Sequence, residues 1–168
     1  MVRLFLTYAH HIPDQWTLVC DQQSPQLKVY KYNTRDNCFK VIAQLSSTPE
    51  SAFDILSDIQ RRKEWDDLCE EGHVIQQIDG STKIQYMKTK AMWPTASRDV
   101  VSLGYCGQME DGGYLNVTQS ILHKDYPPNV QSTIVRMDAK IAGQLIKPSQ
   151  NGNKDQCSII QVADGDLK

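Results

Sequence analysis

An α+β fold built around one large antiparallel sheet is what this sequence predicts, and three observations predict it. β-rich runs separated by turn chemistry fill the first part of the chain. A helical interval opens at Thr48-Pro49, and period-two alternation then returns and lasts to the end. The 168 residues are about the size of one ordinary domain.

The elements follow in chain order. Residues 1–10 read as a helix tail with Leu4, Leu6 and Tyr8 as apolar members, closed by Pro13. Residues 16–20, 27–32 and 39–45 read as strands, separated by Ser24-Pro25 and by Asn33 to Asn37. Thr48 is then a helix cap with proline at the first helical position, where its missing N–H costs nothing. Ala52, Phe53, Leu56 and Ile59 carry helical apolar spacing, and a second short helix is expected over residues 61–68. After Gly72, strands are expected at 73–78, 82–91, 100–106, 114–122, 135–145 and 157–162. The clearest is 135–145, with Val135, Met137, Ala139, Ile141, Gly143 and Leu145 on one face and Arg136, Asp138, Lys140 and Gln144 on the other. Short connectors (Asp79-Gly80, Asp111 to Gly113, Tyr126 to Asn129, Asn151 to Asn153) imply antiparallel pairing, because parallel crossovers need a dozen residues or more. A sheet of so many twisted strands curls, which leaves a concave face to fill.

Composition narrows the function. Hydrophobic content of 40% and charged content of 23% are those of a globular chain. A formal net charge of −2 argues against a general nucleic-acid binder, which needs a basic face. No apolar run reaches the ~18 residues of a membrane span. The opening MVRLFL lacks the apolar core and cleavage site of a secretory signal, so a cytoplasmic location is expected. Cys20, Cys38, Cys69, Cys106 and Cys157 are scattered and odd in number, which reads as buried free thiols rather than a disulfide framework or a metal site.

Chemistry-bearing patterns are sparse. Gly104 to Gly107 (GYCG) is no phosphate loop. His73 and His123 stand alone, the His10-His11 pair reads as solvated, and Ser120 with His123 lacks a nucleophile-elbow context. The chain therefore reads as a non-enzymatic binding module with no cofactor and no metal. Three stretches stand out: residues 61–67 (RRKEWDD), 92–101 (MWPTASRDVV) and the late strands at 116–128 and 135–146.

In order, these stretches resemble the START (StAR-related lipid transfer) family. Lys63-Glu64-Trp65-Asp66 matches its helix-terminal Trp-Asp element. Trp93-Pro94 through Arg98-Asp99-Val100-Val101 matches W-P-x-x-x-R-D-x-V. Ser120 to His123 with Pro127-Pro128, then Val135-Arg136-Met137, then Asp166-Leu167-Lys168 complete the set. Each piece is weak alone; five in order are specific, and they span roughly residues 16–168. The resemblance implies one lipid-binding domain over 1–168 with a helix-grip fold: a curved antiparallel sheet, two short helices and a lipid tunnel. In the family a C-terminal gripping helix follows D-x-K. This sequence stops at Lys168, so the expected fold is a helix-grip lacking that helix, with the tunnel open.

The resemblance also implies a ligand. Ceramide-binding members use a carboxylate just after the helix tryptophan, a position held here by Asp66, and two amides where this chain has Met87 and Thr118. Methionine cannot replace an amide and threonine does so only in part. Phosphatidylcholine carriers hold phosphate with the R-D arginine, matched by Arg98, assisted by a tyrosine where this chain has Ala91. The two readings stay open, a sterol being less favoured. The expected lipid-binding residues are Asp66, Met87, Trp93, Arg98 and Thr118. Trp93, beside Pro94 in a connection, is expected to face the membrane. Expected partners are one phospholipid or ceramide molecule and, transiently, a membrane surface, with no nucleic acid. The function implied is carriage of lipid between membranes or, alternatively, lipid sensing within a larger protein.

Overall fold

A computed structural model describes residues 1–10, 13–128 and 133–166. Helix α1 (Val2–Ala9) precedes strands β1 (Trp16–Gln23), β2 (Gln26–Tyr32) and β3 (Cys38–Leu45). Helix α2 (Pro49–Leu56) and a 3₁₀ turn (Ile59–Glu64) follow. The chain then lays down β4 (Cys69–Gln77), β5 (Thr82–Thr89), β6 (Arg98–Gln108), β7 (Tyr114–Ser120), β8 (Val135–Arg136), β9 (Asp138–Pro148) and β10 (Cys157–Asp166). The described strands form one sheet in the order β1-β2-β3-β10-β9-β7-β6-β5-β4, with β8 beside β6. Every pairing is antiparallel except β6 with β8. The last strand joins the two halves: Cys157 stands opposite both Leu45 of β3 and Pro148 of β9. Among the described residues no helix follows β10.

Two helices cover opposite faces of this sheet. On the outer face α1 sets Phe5, Tyr8 and Ala9 against Trp16, Cys38, Leu115, Val117, Ile141, Leu145 and Val162, the main core. On the inner face α2 sets Ala52 against Ile146, Cys157 and Ile159, with Phe53 stacked on Tyr114. The Thr48 hydroxyl accepts from the Ser51 N–H at 3.1 Å, with Pro49 in the first turn, as the cap chemistry predicts.

The structure corrects the sequence reading at four places. The helical spacing that included Ile59 breaks first, because Asp58 turns extended and its side chain caps the Gln60 N–H at 2.9 Å. The helix expected over 61–68 is instead a 3₁₀ turn ending at Glu64. Asp66 Oδ1 accepts from the Leu68 N–H at 3.1 Å, a local bond that competes with further helix. Strand β4 begins before Gly72, where a Cβ would stand 2.5 Å from the Ile59 carbonyl oxygen. Glycine there lets the 3₁₀ turn press onto the strand.

The fourth correction is the largest. The strand expected over 135–145 is two strands. Val135 and Arg136 lie beside Arg98 and Asp99 of β6, held by Arg136 Nε and Nη2 donating to Asp99 at 2.7 and 2.9 Å. The chain leaves β6 at Met137, and β9 pairs with β7 and β10. Ile141, Gly143 and Leu145 share the outer face as expected, yet Gln144 and Ile146 opposite are buried too, because α2 covers the inner face. Cysteine burial is also only partial: all five thiols are free, but Cys20 is exposed. His10 is exposed, while His11, Asn129, Leu167 and Lys168 lie outside the described residues.

Candidate functional site: the concave face

Strand register decides what the concave face carries. Gln85 stands opposite Ser102, Met87 opposite Val100, Thr118 opposite Ala142 and Asn116 opposite Gln144. These residues line a cavity of ≈ 290 Å³. Its apolar wall includes Phe39, Leu56, Ile59, Met87, Val100 and Met137; its polar lining includes Arg62, Gln85, Ser102, Asn116, Thr118 and Gln144, and the carboxylates Asp138, Asp164 and Asp166 stand at the β9–β10 side. Phe39 reaches it from β3, whereas Leu56 and Ile59 bring in the end of α2 and the 3₁₀ turn.

Most of the polar groups are held. Asn116 Nδ2 donates to Gln144 Oε1 at 2.8 Å and to the Leu56 carbonyl at 3.1 Å, tying the end of α2 to the sheet. Thr118 Oγ1 donates to the Ala142 carbonyl at 3.4 Å. Arg62 Nε and Nη2 both reach Asp66 Oδ2 at 2.8 Å, and its guanidinium lies 4.6 Å from the Trp65 ring centre. Gln85 differs. It is 8% exposed, and its Oε1 has no hydrogen-bond partner among the described residues. The Trp65 Nε1 is also buried without one.

The residues singled out from sequence occupy three places. Met87 and Thr118 line the cavity. Asp66 touches it only through Arg62, which does line it. Arg98, at the start of β6, is in phase with Val100 and Ser102 but outside the lining; its Nη1 donates to the Ala96 carbonyl at 2.9 Å. Trp93 is 94% exposed at the tip of the β5–β6 connection, a turn closed by Met92 and Thr95. Met92 and Leu68 are exposed too, and Leu68 accepts from the Lys90 N–H at 2.8 Å, which places it at the same end of the sheet. Sequence reasoning missed Arg62, Gln85, Ser102, Asn116 and Gln144. Arg62 was within reach, four residues before Asp66 on a helical period; the others needed the register.

The outer face around β6 is a separate polar cluster. Tyr86, His73 and Tyr126 pack ring to ring, and His73 Nε2 lies 3.2 Å from the Tyr126 hydroxyl. Burial, and then the Asp99 carboxylate, push the Tyr86 phenol up to about 12. This cluster fastens the segment after β7: Arg136 Nη1 donates to the Tyr126 carbonyl at 3.0 Å.

A curved sheet whose concave face holds a cavity walled by apolar side chains and edged by amides, hydroxyls, carboxylates and a guanidinium is the form of a small-molecule binding module. The chain belongs to the START domain family: a model of the START domain matches residues 5–168. Human START domain-containing protein 10 is 27% identical over 163 residues, which are 97% of this chain and 51% of that protein. The Arabidopsis thaliana protein ENHANCED DISEASE RESISTANCE 2-like is 26% identical over 121 residues, 68% of this chain and 16% of its own length. Among solved structures, human STARD10 superimposes with a TM-score of 0.84 at 26% identity, covering 99% of this chain and 66% of that one. Human StAR-related lipid transfer protein 5 superimposes with a TM-score of 0.88 at 18% identity, covering 99% and 79%; that likeness is of fold alone. The chain thus spans about half the length of the human relative.

Proposed function

We propose that residues 1–168 act as one lipid-binding domain that holds a single phospholipid or ceramide molecule in the concave cavity and carries it between membranes. The observation that carries this reading is the cavity itself: apolar walls and a set of head-group partners on the inner face of a START sheet. Returning acyl chains to water costs about 0.8 kcal/mol per CH₂, on the order of 25 kcal/mol for two tails of ~16 carbons. A carrier therefore needs an apolar enclosure and partners for the head group, and no covalent chemistry.

In this reading Asp66, Met87, Thr118 and Arg98 meet the lipid, Asp66 acting with Arg62. Trp93, with Met92 and Leu68, touches the membrane while the domain sits peripherally on a cytoplasmic surface. The test is lipid extraction from vesicles, read by native mass spectrometry, for the wild type and for Asp66→Ala and Arg98→Ala. Cargo is expected in the wild type, with several-fold loss in each variant at unchanged thermal stability. Unchanged binding in both variants would sink the site assignment; no extraction at all would sink the carrier reading.

A second reading has its own support. In the Arabidopsis relative the matched region is only 16% of the protein, so a lipid-sensing module inside a larger chain is the alternative. Vesicle-to-vesicle transfer separates the two: a carrier delivers lipid to acceptor vesicles, and a sensor retains it.

A further inference from the structure

We propose that Gln85 is a ligand-binding residue that receives a hydroxyl group carried on the buried part of the cargo. The proposal rests on the lipid-binding reading above and narrows its ligand class. Three observations carry it. Gln85 is 8% exposed and its Oε1 has no partner among the described residues. It lines the cavity on the same inner-face row as Met87. And its carboxamide lies across β6 toward β7. A Cβ placed on Gly104 would stand 3.6 Å from Gln85 Cδ and 3.5 Å from Thr118 Cγ2, both in ordinary contact, so the amide lies over Gly104 beside Thr118.

The contrast with the neighbouring amides sharpens the assignment. Asn116 and Gln144 bond each other and the end of α2, a structural use that leaves them satisfied. Gln85 is buried to a similar degree as Gln144, yet its Oε1, almost without accessible surface, has no partner among the described residues, so a ligand group meets it only after a small turn of the side chain that lines the cavity. Buried polar groups without a partner are rare and destabilising, and a polar group on the cargo in the cavity that Gln85 lines would supply the missing bond. A plain acyl chain laid there returns no hydrogen bond. A hydroxyl both donates and accepts, so it pairs with a carboxamide in either of its two orientations; an ester or ketone oxygen pairs with only one. Sites built around such a group reject the analogue that lacks it.

A hydroxyl on the buried part of a lipid has three common sources: a hydroxylated acyl chain, a sphingoid base and a sterol ring. The experiment offers the purified chain vesicles containing matched pairs. These are ricinoleoyl against oleoyl phosphatidylcholine, ceramide against its deoxy analogue, and cholesterol against cholestene. The protein is re-isolated and its lipid counted by mass spectrometry, for the wild type and for Gln85→Leu and Gln85→Met, with thermal unfolding confirming the fold. At least one hydroxylated lipid is expected to be retained about tenfold over its partner, and that ratio to fall to about one in both variants. The pair that shows the effect identifies the source. Retention of lipid with no preference in any pair, or a preference that survives both substitutions, overturns the proposal while leaving the carrier reading intact. Failure to retain lipid of either kind overturns the carrier reading, and this assignment with it.

Discussion

The two faces of strands β7, β9 and β10 are built to different ends. On the outer face, under α1, Phe5, Val117, Ile141 and Val162 are wholly buried, and the buried polar groups are partnered. Lys40 Nζ donates to the Tyr8 carbonyl at 3.1 Å and lies 4.1 Å from the Trp16 ring centre. The Tyr8 hydroxyl donates to Asp164 at 3.3 Å, and Arg35 pairs with the same carboxylate. On the inner face the same strands present amides and hydroxyls to a cavity, and the Oε1 of Gln85 on β5 has no partner among the described residues. The outer face supplies stability; the inner face gives some of it up to keep room and polarity for a ligand. Substitutions on the two faces should therefore have opposite signs.

Phe5→Ala should have the largest effect, lowering the free energy of unfolding by about 3 kcal/mol in denaturant titration, because it empties the centre of the α1 contact. If the loss is below about 1 kcal/mol, α1 is not part of the cooperative core and the contrast fails.

Lys40 gives a pH test of the same face. Burial holds its ammonium down to about 8 from 10.5, so between those values the unfolded chain binds the proton that the folded one has lost. Stability from this group accordingly rises with pH across that window. Cys38 opposes it: burial, then Asp164, lifts its thiol to about 12 from 9.0, so its contribution falls above the lower value. The two groups interact, so the lysine is isolated by comparing Cys38→Ala with the double variant Cys38→Ala/Lys40→Met. That difference should move toward lysine by roughly 2 kcal/mol from about pH 7 to about pH 10. A flat difference would mean that Lys40 is solvated in the folded protein.

On the inner face, Gln85→Leu should raise the lipid-free unfolding free energy by about 1 kcal/mol, since it removes a buried unpaired oxygen. A clear destabilisation would show that the oxygen is bonded in solution. Trp93→Ala should be the quietest, changing stability by less than about 0.5 kcal/mol while reducing vesicle binding in sedimentation or quenching assays. Unaltered vesicle binding would remove Trp93 from the membrane-facing end.

Local chemistry was legible where one residue decides one bond. The Thr48-Pro49 cap, the turn glycines at Gly112 and Gly152, both at positive φ, and the alternation of Ile141, Gly143 and Leu145 could all be read from residue order. So could the motif series that marks the family, because its pieces sit at strand starts and connections whose chemistry is local. Less was legible where one residue answers to two neighbours. Val135 and Arg136 alternate in phase with β9, yet Asp99 draws them to β6. Met87 and Thr118 were found through the resemblance. Gln85, on the same face, was not, since nothing in its own neighbourhood marks a buried glutamine.

By itself, then, the sequence determined the class of fold, the antiparallel pairing and the family, all of which follow from periodicity, short connectors and ordered local motifs. Only the tertiary structure decided that Gln144 is buried, that Arg62 rather than Asp66 borders the cavity, and that Gln85 keeps an oxygen without a partner among the described residues. The physical reason is that burial and hydrogen-bond satisfaction are properties of register. Which face a strand residue shares, and with whom, is settled by strands distant in sequence, such as β3 meeting β10 and β7 meeting β9, and alternation within one strand cannot report its neighbours.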